Sequence, residues 1–138
     1  MTYVLLVGGG ADAALLEGIA QSLATLGHAP RVVHDLTEAR QLASTDAPLI
    51  LVVDRSLASS AGAELLGIPL AAGGARLLYR TASAPLAPLL PALQRAVLAD
   101  LTLPLERHRL AALVQSVGER ARLSGRTPRH TPPESRAI

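Results

Sequence analysis

Five short apolar runs alternate with segments of helical spacing, and that alternation limits the folds open to the chain more than any other feature. Tyr3-Val4-Leu5-Leu6-Val7 is stopped by Gly8-Gly9-Gly10, and Leu49-Ile50-Leu51-Val52-Val53 ends at Asp54. Arg31-Val32-Val33-His34, Arg76-Leu77-Leu78-Tyr79-Arg80 and the brief Asp100-Leu101-Thr102-Leu103, ending at Pro104, complete the set. Unbroken aliphatic runs of this length suit strands buried on both faces. Between them, Asp12 to Leu26 places Leu15, Leu16, Ile19, Leu23 and Leu26 at spacings of three and four, with Gly27 as the stop. Asp35-Leu36-Thr37-Glu38 has the spacing of a capping box and predicts a short helix to about Ser44. Gly62 to Leu66 predicts a short third helix, and Glu106 to Arg122 a last one with Leu110, Leu113, Val114, Val117 and Ala121 on one face. Strands joined by crossover helices imply a parallel sheet covered on both sides. The expected architecture is therefore a doubly wound α/β fold of five units, with its site at the strand carboxyl ends.

One stretch fits that scheme poorly. Pro85, Pro88 and Pro91 recur every third residue where the fourth helix should lie. An internal proline costs a helix roughly 3 kcal/mol or more, through a lost hydrogen bond and a ring clash. The helix is expected to begin near Pro91, after an extended or turn-like and unusually mobile stretch. Residues 123–138 carry three prolines and little to bury, which predicts a domain over 1–122 followed by a disordered tail that could be the relic of a linker.

Composition removes several function classes. The chain has no Cys, which excludes disulfide scaffolds, thiolate metal sites and cysteine nucleophiles. Two Tyr and no Phe or Trp leave no stacking surface for single-stranded nucleic acid. The net charge of +2 comes entirely from residues 123–138, because residues 1–122 balance ten Arg against ten acids. A folded domain without clustered cations is not expected to bind nucleic acid. No apolar run reaches the ~18 residues of a membrane span, so a cytoplasmic domain without membrane contact is expected.

Few residues point to catalysis. His28, His34, His108 and His130 never stand at i, i+4 with an acid in a metal-binding pattern, and Ser59-Ser60 is a loop pair rather than a nucleophile elbow. His108 and the nearby Arg107, Arg109, Arg120 and Arg122 read as a solvated, charge-rich face. No enzyme activity and no cofactor are expected. Gly8-Gly9-Gly10-Ala11-Asp12-Ala13 does satisfy G-x-G-x-x-A between a strand and a helix, with Asp35 where a ribose-binding acid would stand. A small Rossmann-like nucleotide- or ligand-binding domain using Gly8, Gly10 and Asp35 is the alternative reading. Against it, the chain leaves no room for a substrate domain.

Three strand ends carry a resemblance. Asp54 is followed by Leu57 and Gly62, Tyr79-Arg80-Thr81-Ala82 ends the fourth run, and Leu101-Thr102-Leu103-Pro104-Leu105 ends the fifth. Residues 3–122 thereby resemble the receiver domains of two-component response regulators, in order and in spacing. The resemblance implies a flavodoxin-like receiver fold, with Asp54 as the phosphoacceptor equivalent and Thr81 as the switch hydroxyl. It also exposes departures: Ala58 and Ala61 stand where the family has a proline and a second acid after the acceptor, and four more lie at the site. Gly8 and Gly9 stand where the family has the acidic pair that holds magnesium with the acceptor, Leu103 where it has the lysine, and Asp100 at the aromatic switch position. Magnesium needs hard oxygen ligands, so the loss of two carboxylates of three implies an atypical, or pseudo-, receiver. Its expected activity is phosphorylation-independent binding of a protein partner or of itself, as a homodimer. The surface implied is Pro85–Pro91, Asp100–Pro104 and the Glu106–Arg122 helix. Asp54 then needs Thr81, Arg55 or Arg80 as a partner, unless it stands partly hydrated at a pocket mouth without a duty. The missing side chains would leave space for a small ligand between Gly8–Gly10, Asp54 and Thr81.

Overall fold

Each predicted run forms a strand, and all five pair in parallel. The computed structural model describes residues 2–84 and 88–126. Strands β1 (Tyr3–Val7), β2 (Ala29–Val33), β3 (Ile50–Asp54), β4 (Ala75–Thr81) and β5 (Ala99–Leu103) form one sheet in the order β2-β1-β3-β4-β5. The pleat sends alternate side chains to opposite faces. Val4, Leu6, Ile50, Val52, Leu77, Tyr79, Leu101 and Leu103 pack beneath α1 (Ala13–Thr25) and α6 (Arg107–Arg126). Leu5, Val7, Leu51, Val53 and Leu78 pack beneath α2 (Leu36–Thr45), α3 (Arg55–Ser60), α4 (Gly62–Leu66) and α5 (Pro91–Ala96). This is the flavodoxin-like, doubly wound arrangement, and every core residue of β1 and β3 is fully buried, as their unbroken aliphatic sequence requires.

The helices follow local chemistry closely. α1 turns its predicted stripe of Leu16, Ile19 and Leu23 inward, and Gly27 ends it with φ 93°, a conformation that strains any residue with a Cβ. Asp35 caps α2 by accepting the Glu38 backbone N–H at 2.7 Å. Pro91 opens α5 at its first turn, and that helix lasts only six residues. Of the proline-rich stretch before it, residues 85–87 lie outside the described residues.

Four boundaries differ from expectation. β2 starts at Ala29 and includes Pro30, which an edge strand tolerates because one side of its backbone has no ladder to serve, and it ends before His34. A 3-10 turn over Gly10–Asp12 precedes α1. The serine-rich segment after Asp54 is helical, so α3 stands ahead of the predicted Gly62–Leu66 helix, with a break at Ala61. Lastly, α6 continues to Arg126, past the expected boundary at Arg122, while residues 127–138, most of the predicted tail, lie outside the described residues. Among the described residues, no helix is long and apolar enough to cross a membrane.

Candidate functional site

β1 and β3 are neighbours in the sheet, yet the chain leaves them in opposite directions along the strand order, to β2 from one and to β4 from the other. Such a reversal opens a crevice at the carboxyl ends of the two strands. Gly8 and Asp54 stand at its two lips.

Gly8 is held by its backbone, which donates to Val33 O at 3.1 Å and accepts from His34 Nδ1–H at 3.0 Å. The space above it is full. A Cβ at Gly8 would stand 2.1 Å from Tyr79 Oη and 2.7 Å from Leu16 Cδ1. The Tyr79 hydroxyl belongs to a wholly buried side chain and donates to Asp12 Oδ2 at 2.8 Å. Burial first, then the bond to Asp12 and the charges of Asp54 and Asp12, push this phenol far above its ordinary pKa. Tyr79 is therefore a neutral donor between two carboxylates.

Asp54 is half-buried and takes neither of the partner types foreseen for it. Its Oδ1 accepts from the Ser56 backbone N–H at 3.0 Å and from Ser56 Oγ at 2.9 Å, while among the described residues no ion pair joins it to Arg55 or Arg80 and no hydrogen bond joins it to Thr81. The reason is proximity: Ser56 lies two residues on, and capping α3 satisfies an orphan amide that a distant partner would leave bare. Arg55 instead pairs with Asp100, on the α3 side of the sheet. Arg80 lies near Glu106, whose charge it helps to favour. Thr81 is half-buried at the end of β4, in register with Leu103. Leu103 itself lies wholly inside the core beside Tyr79, Leu101 and Leu110, so its position carries packing and no charge.

The alternative reading gains nothing from these placements. Asp35 is engaged as the α2 cap, and Gly9 and Gly10 have neither a positive φ nor any atom within 4 Å of an added Cβ. The N-cap of α1 is Asp12, whose carboxylate opposes an incoming pyrophosphate. The space foreseen for a small ligand over Gly8 is occupied by Tyr79 and Leu16. Magnesium also fits poorly. Its octahedral oxygen shell needs several hard ligands converging on one point, and among the described residues no group of three or more His, Asp or Glu is placed to hold a metal.

The fold brings Gly8, Asp54, Thr81 and Leu103 to one end of the sheet, whereas Asp100, paired with Arg55 of α3, stands on the opposite face. Sequence reasoning missed Asp12, Ser56 and Tyr79. The signal for Tyr79 was faint: a lone aromatic two residues before Thr81, on the same side of its strand. On the surface expected to bind partners Leu90 is 68% exposed, and Leu98 and Leu105, just outside its segments, are 48% and 75% exposed, whereas Leu110 of α6 belongs to the core.

No protein-family model matches the chain, and no curated protein is significantly similar to it in sequence. Solved structures are similar in fold. A CheY-like response regulator receiver domain from Methylobacillus flagellatus superposes with a TM-score of 0.67 at 18% identity, over 85% of this chain and 98% of that one. The receiver domain of a sensor histidine kinase from Pseudomonas aeruginosa PAO1, which holds a magnesium ion in its active-site cleft, gives 0.60 at 19% identity over 85% and 98%. The pseudo-receiver domain of the CikA protein gives 0.60 at 17% identity over 85% and 97%. The order of five parallel strands, the two helical layers and these superpositions agree on one conclusion: the chain has the flavodoxin-like fold of response regulator receiver domains.

Proposed function

We propose that this chain is an atypical receiver domain of two-component signalling, which acts through protein–protein contact and takes no phosphoryl group by the magnesium-dependent route. The observation that carries the reading is the occupied space over Gly8. An acid at that position would collide with Tyr79 Oη and Leu16 Cδ1, so the first of the two metal-binding positions has no room for a carboxylate, although Gly9 beside it stands open. Leu103, buried in apolar surroundings, offers no cation to balance a phosphoryl group at Asp54. A cytoplasmic address and the lack of catalysis go with this reading. The contact surface is assigned to Pro85–Pro91, Asp100–Pro104 and the Glu106–Arg122 helix; Leu90 within it, and Leu98 and Leu105 next to its segments in the chain, leave apolar area in water. A homodimer through that surface is part of the proposal.

Incubation with acetyl phosphate and magnesium, followed by intact-mass measurement, tests the chemical half: no mass change is expected, and a stoichiometric gain of one phosphoryl group on Asp54 would refute it. Light scattering on the wild type beside Leu105→Arg tests the dimer. A wild-type monomer would remove the self-association from the proposal.

A further inference from the structure

The geometry points to Tyr79 as an internal plug, which fills the cleft at the ends of β1 and β3 and pins the start of α1 to the middle of the sheet. Three observations converge. The Tyr79 side chain is fully buried, although it carries a hydroxyl that needs a partner. That hydroxyl reaches Asp12 Oδ2 at 2.8 Å, across 67 residues of sequence, and Asp12 is both the end of the 3-10 turn and the N-cap of α1. The plug also requires the glycine opposite it, since a Cβ at Gly8 would stand 2.1 Å from the phenolic oxygen and 3.2 Å from the ring carbon that bears it.

These facts make the β1–α1 corner one unit with β4. In a cleft that binds a ligand, the corner can respond to the ligand's arrival and departure. Here the group that fills the cleft is a side chain of the protein itself, tied to Asp12 by a hydrogen bond. Gly8 and Tyr79 thus form a matched pair, and restoring a side chain at position 8 alone cannot reopen the cleft. The bearing on signalling rests on the reading that the cleft takes no phosphoryl group, whereas the plug rests on packing alone.

A double-mutant cycle on Gly8→Ala and Tyr79→Phe tests the pairing. Tyr79→Phe removes the oxygen that stands nearest the new methyl group and leaves the ring. Gly8→Ala should lower Tm by about 5 °C or more in the wild type, as overpacking does in a domain of this size. In the Tyr79→Phe background the same change should cost measurably less, the remainder being the contact with Leu16 Cδ1 at 2.7 Å. Equal losses in both backgrounds overturn the plug. If Gly8→Ala alone does not fold and the double variant does, the pairing is supported; if neither folds while Tyr79→Phe does, it is refuted.

Amide exchange in Tyr79→Phe is the second measurement. Loss of a hydrogen bond to a carboxylate should speed exchange around Asp12 and the first turn of α1 by about 10-fold or more relative to β3. Unchanged rates there overturn the pinning. Phosphoryl uptake by the wild type would sink the signalling reading and leave the cycle intact, while an additive cycle would sink the plug and leave the mass measurement intact.

Discussion

The two faces of the sheet are built differently. One is covered by two helices of 13 and 20 residues, the other by four of 10, 6, 5 and 6 residues. Every helix ends in backbone groups without an internal partner, so four short helices expose many more of them than two long ones do. The polar side chains are distributed accordingly. Asp35 and Asp54 cap α2 and α3, and Arg76 donates to the carbonyls of Leu65, Leu66 and Ile68 where α4 ends. Arg55 pairs with Asp100 and Arg40 with Glu64 on the same side. Beneath α1 and α6 the packing is almost wholly aliphatic, and its principal buried polar contact is the bond from Tyr79 to Asp12. The long-helix face is held by burial. The short-helix face adds polar ties to a comparable core.

Adjacent residues of β4 give the sharpest test of this contrast. Leu77 faces α1 and α6, Leu78 faces the short helices, and both are fully buried. The cost of truncating a core leucine rises with the cavity that its neighbours cannot close. Leu77→Ala should therefore cost about 4–5 kcal/mol, and Leu78→Ala about 2–3 kcal/mol, because short helices shift more readily than long ones. Urea denaturation of the pair decides it. A larger loss at Leu78 would show that the polar ties make the short-helix face the stiffer of the two.

The next effect in size concerns one of those ties. Arg76 is half-buried, and desolvation lowers its pKa without any acid to oppose it. Its guanidinium donates instead to three carbonyls. Arg76→Met keeps much of the aliphatic stem and removes the donors, for a loss of about 1–3 kcal/mol. Amide exchange should quicken in α4 and remain slow in α1 and α6. Uniform loss of protection in all helices would break the comparison, since it would make Arg76 part of the global core.

Much of the fold could be read from the sequence because a doubly wound sheet writes itself in local terms. Aliphatic runs such as Ile50–Val53 can only be buried on both sides, and Gly27 and Pro91 mark helix ends by their own backbone chemistry. The segment after Asp54 was harder, because Ser56, Ser59 and Ser60 are residues of turns. They are helical here, with Ser56 bonded to Asp54 and the other two hydroxyls returned to backbone carbonyls of the same turn. The cleft was legible only in its losses. In the proposed reading Gly8 and Leu103 stand for lost carboxylates and a lost lysine, but what fills the space depends on Tyr79 and Asp12, and no local pattern joins residues that far apart. A glycine reads as open space until the side chain opposite it is known.

The smallest expected effect lies where the two faces meet, at the turn from β5 into α6. Glu106 Oε1 accepts the Thr102 N–H at 2.7 Å, the Glu106 N–H returns to Thr102 O at 2.8 Å, and Oε2 accepts from Arg109 at 3.1 Å. The bond from Thr102 first, then the one from Arg109, holds this carboxyl below its ordinary pKa of 4.5. A carboxylate whose pKa is depressed by folding stabilises the native state above its unfolded value. That contribution is complete above about pH 5 and is lost as pH falls through the depressed folded value. The group is on the surface, so the effect is a slope rather than a collapse. Glu106→Gln keeps an acceptor for Thr102 and removes the charge. Its Tm should match the wild type more closely at low pH than at pH 7, with the two curves converging as the wild-type carboxyl is protonated. Curves that stay parallel through the acid range would mean that the turn is held by its backbone bond and not by the charge, which would extend the aliphatic, charge-independent character of the long-helix face to its junction with the contact surface.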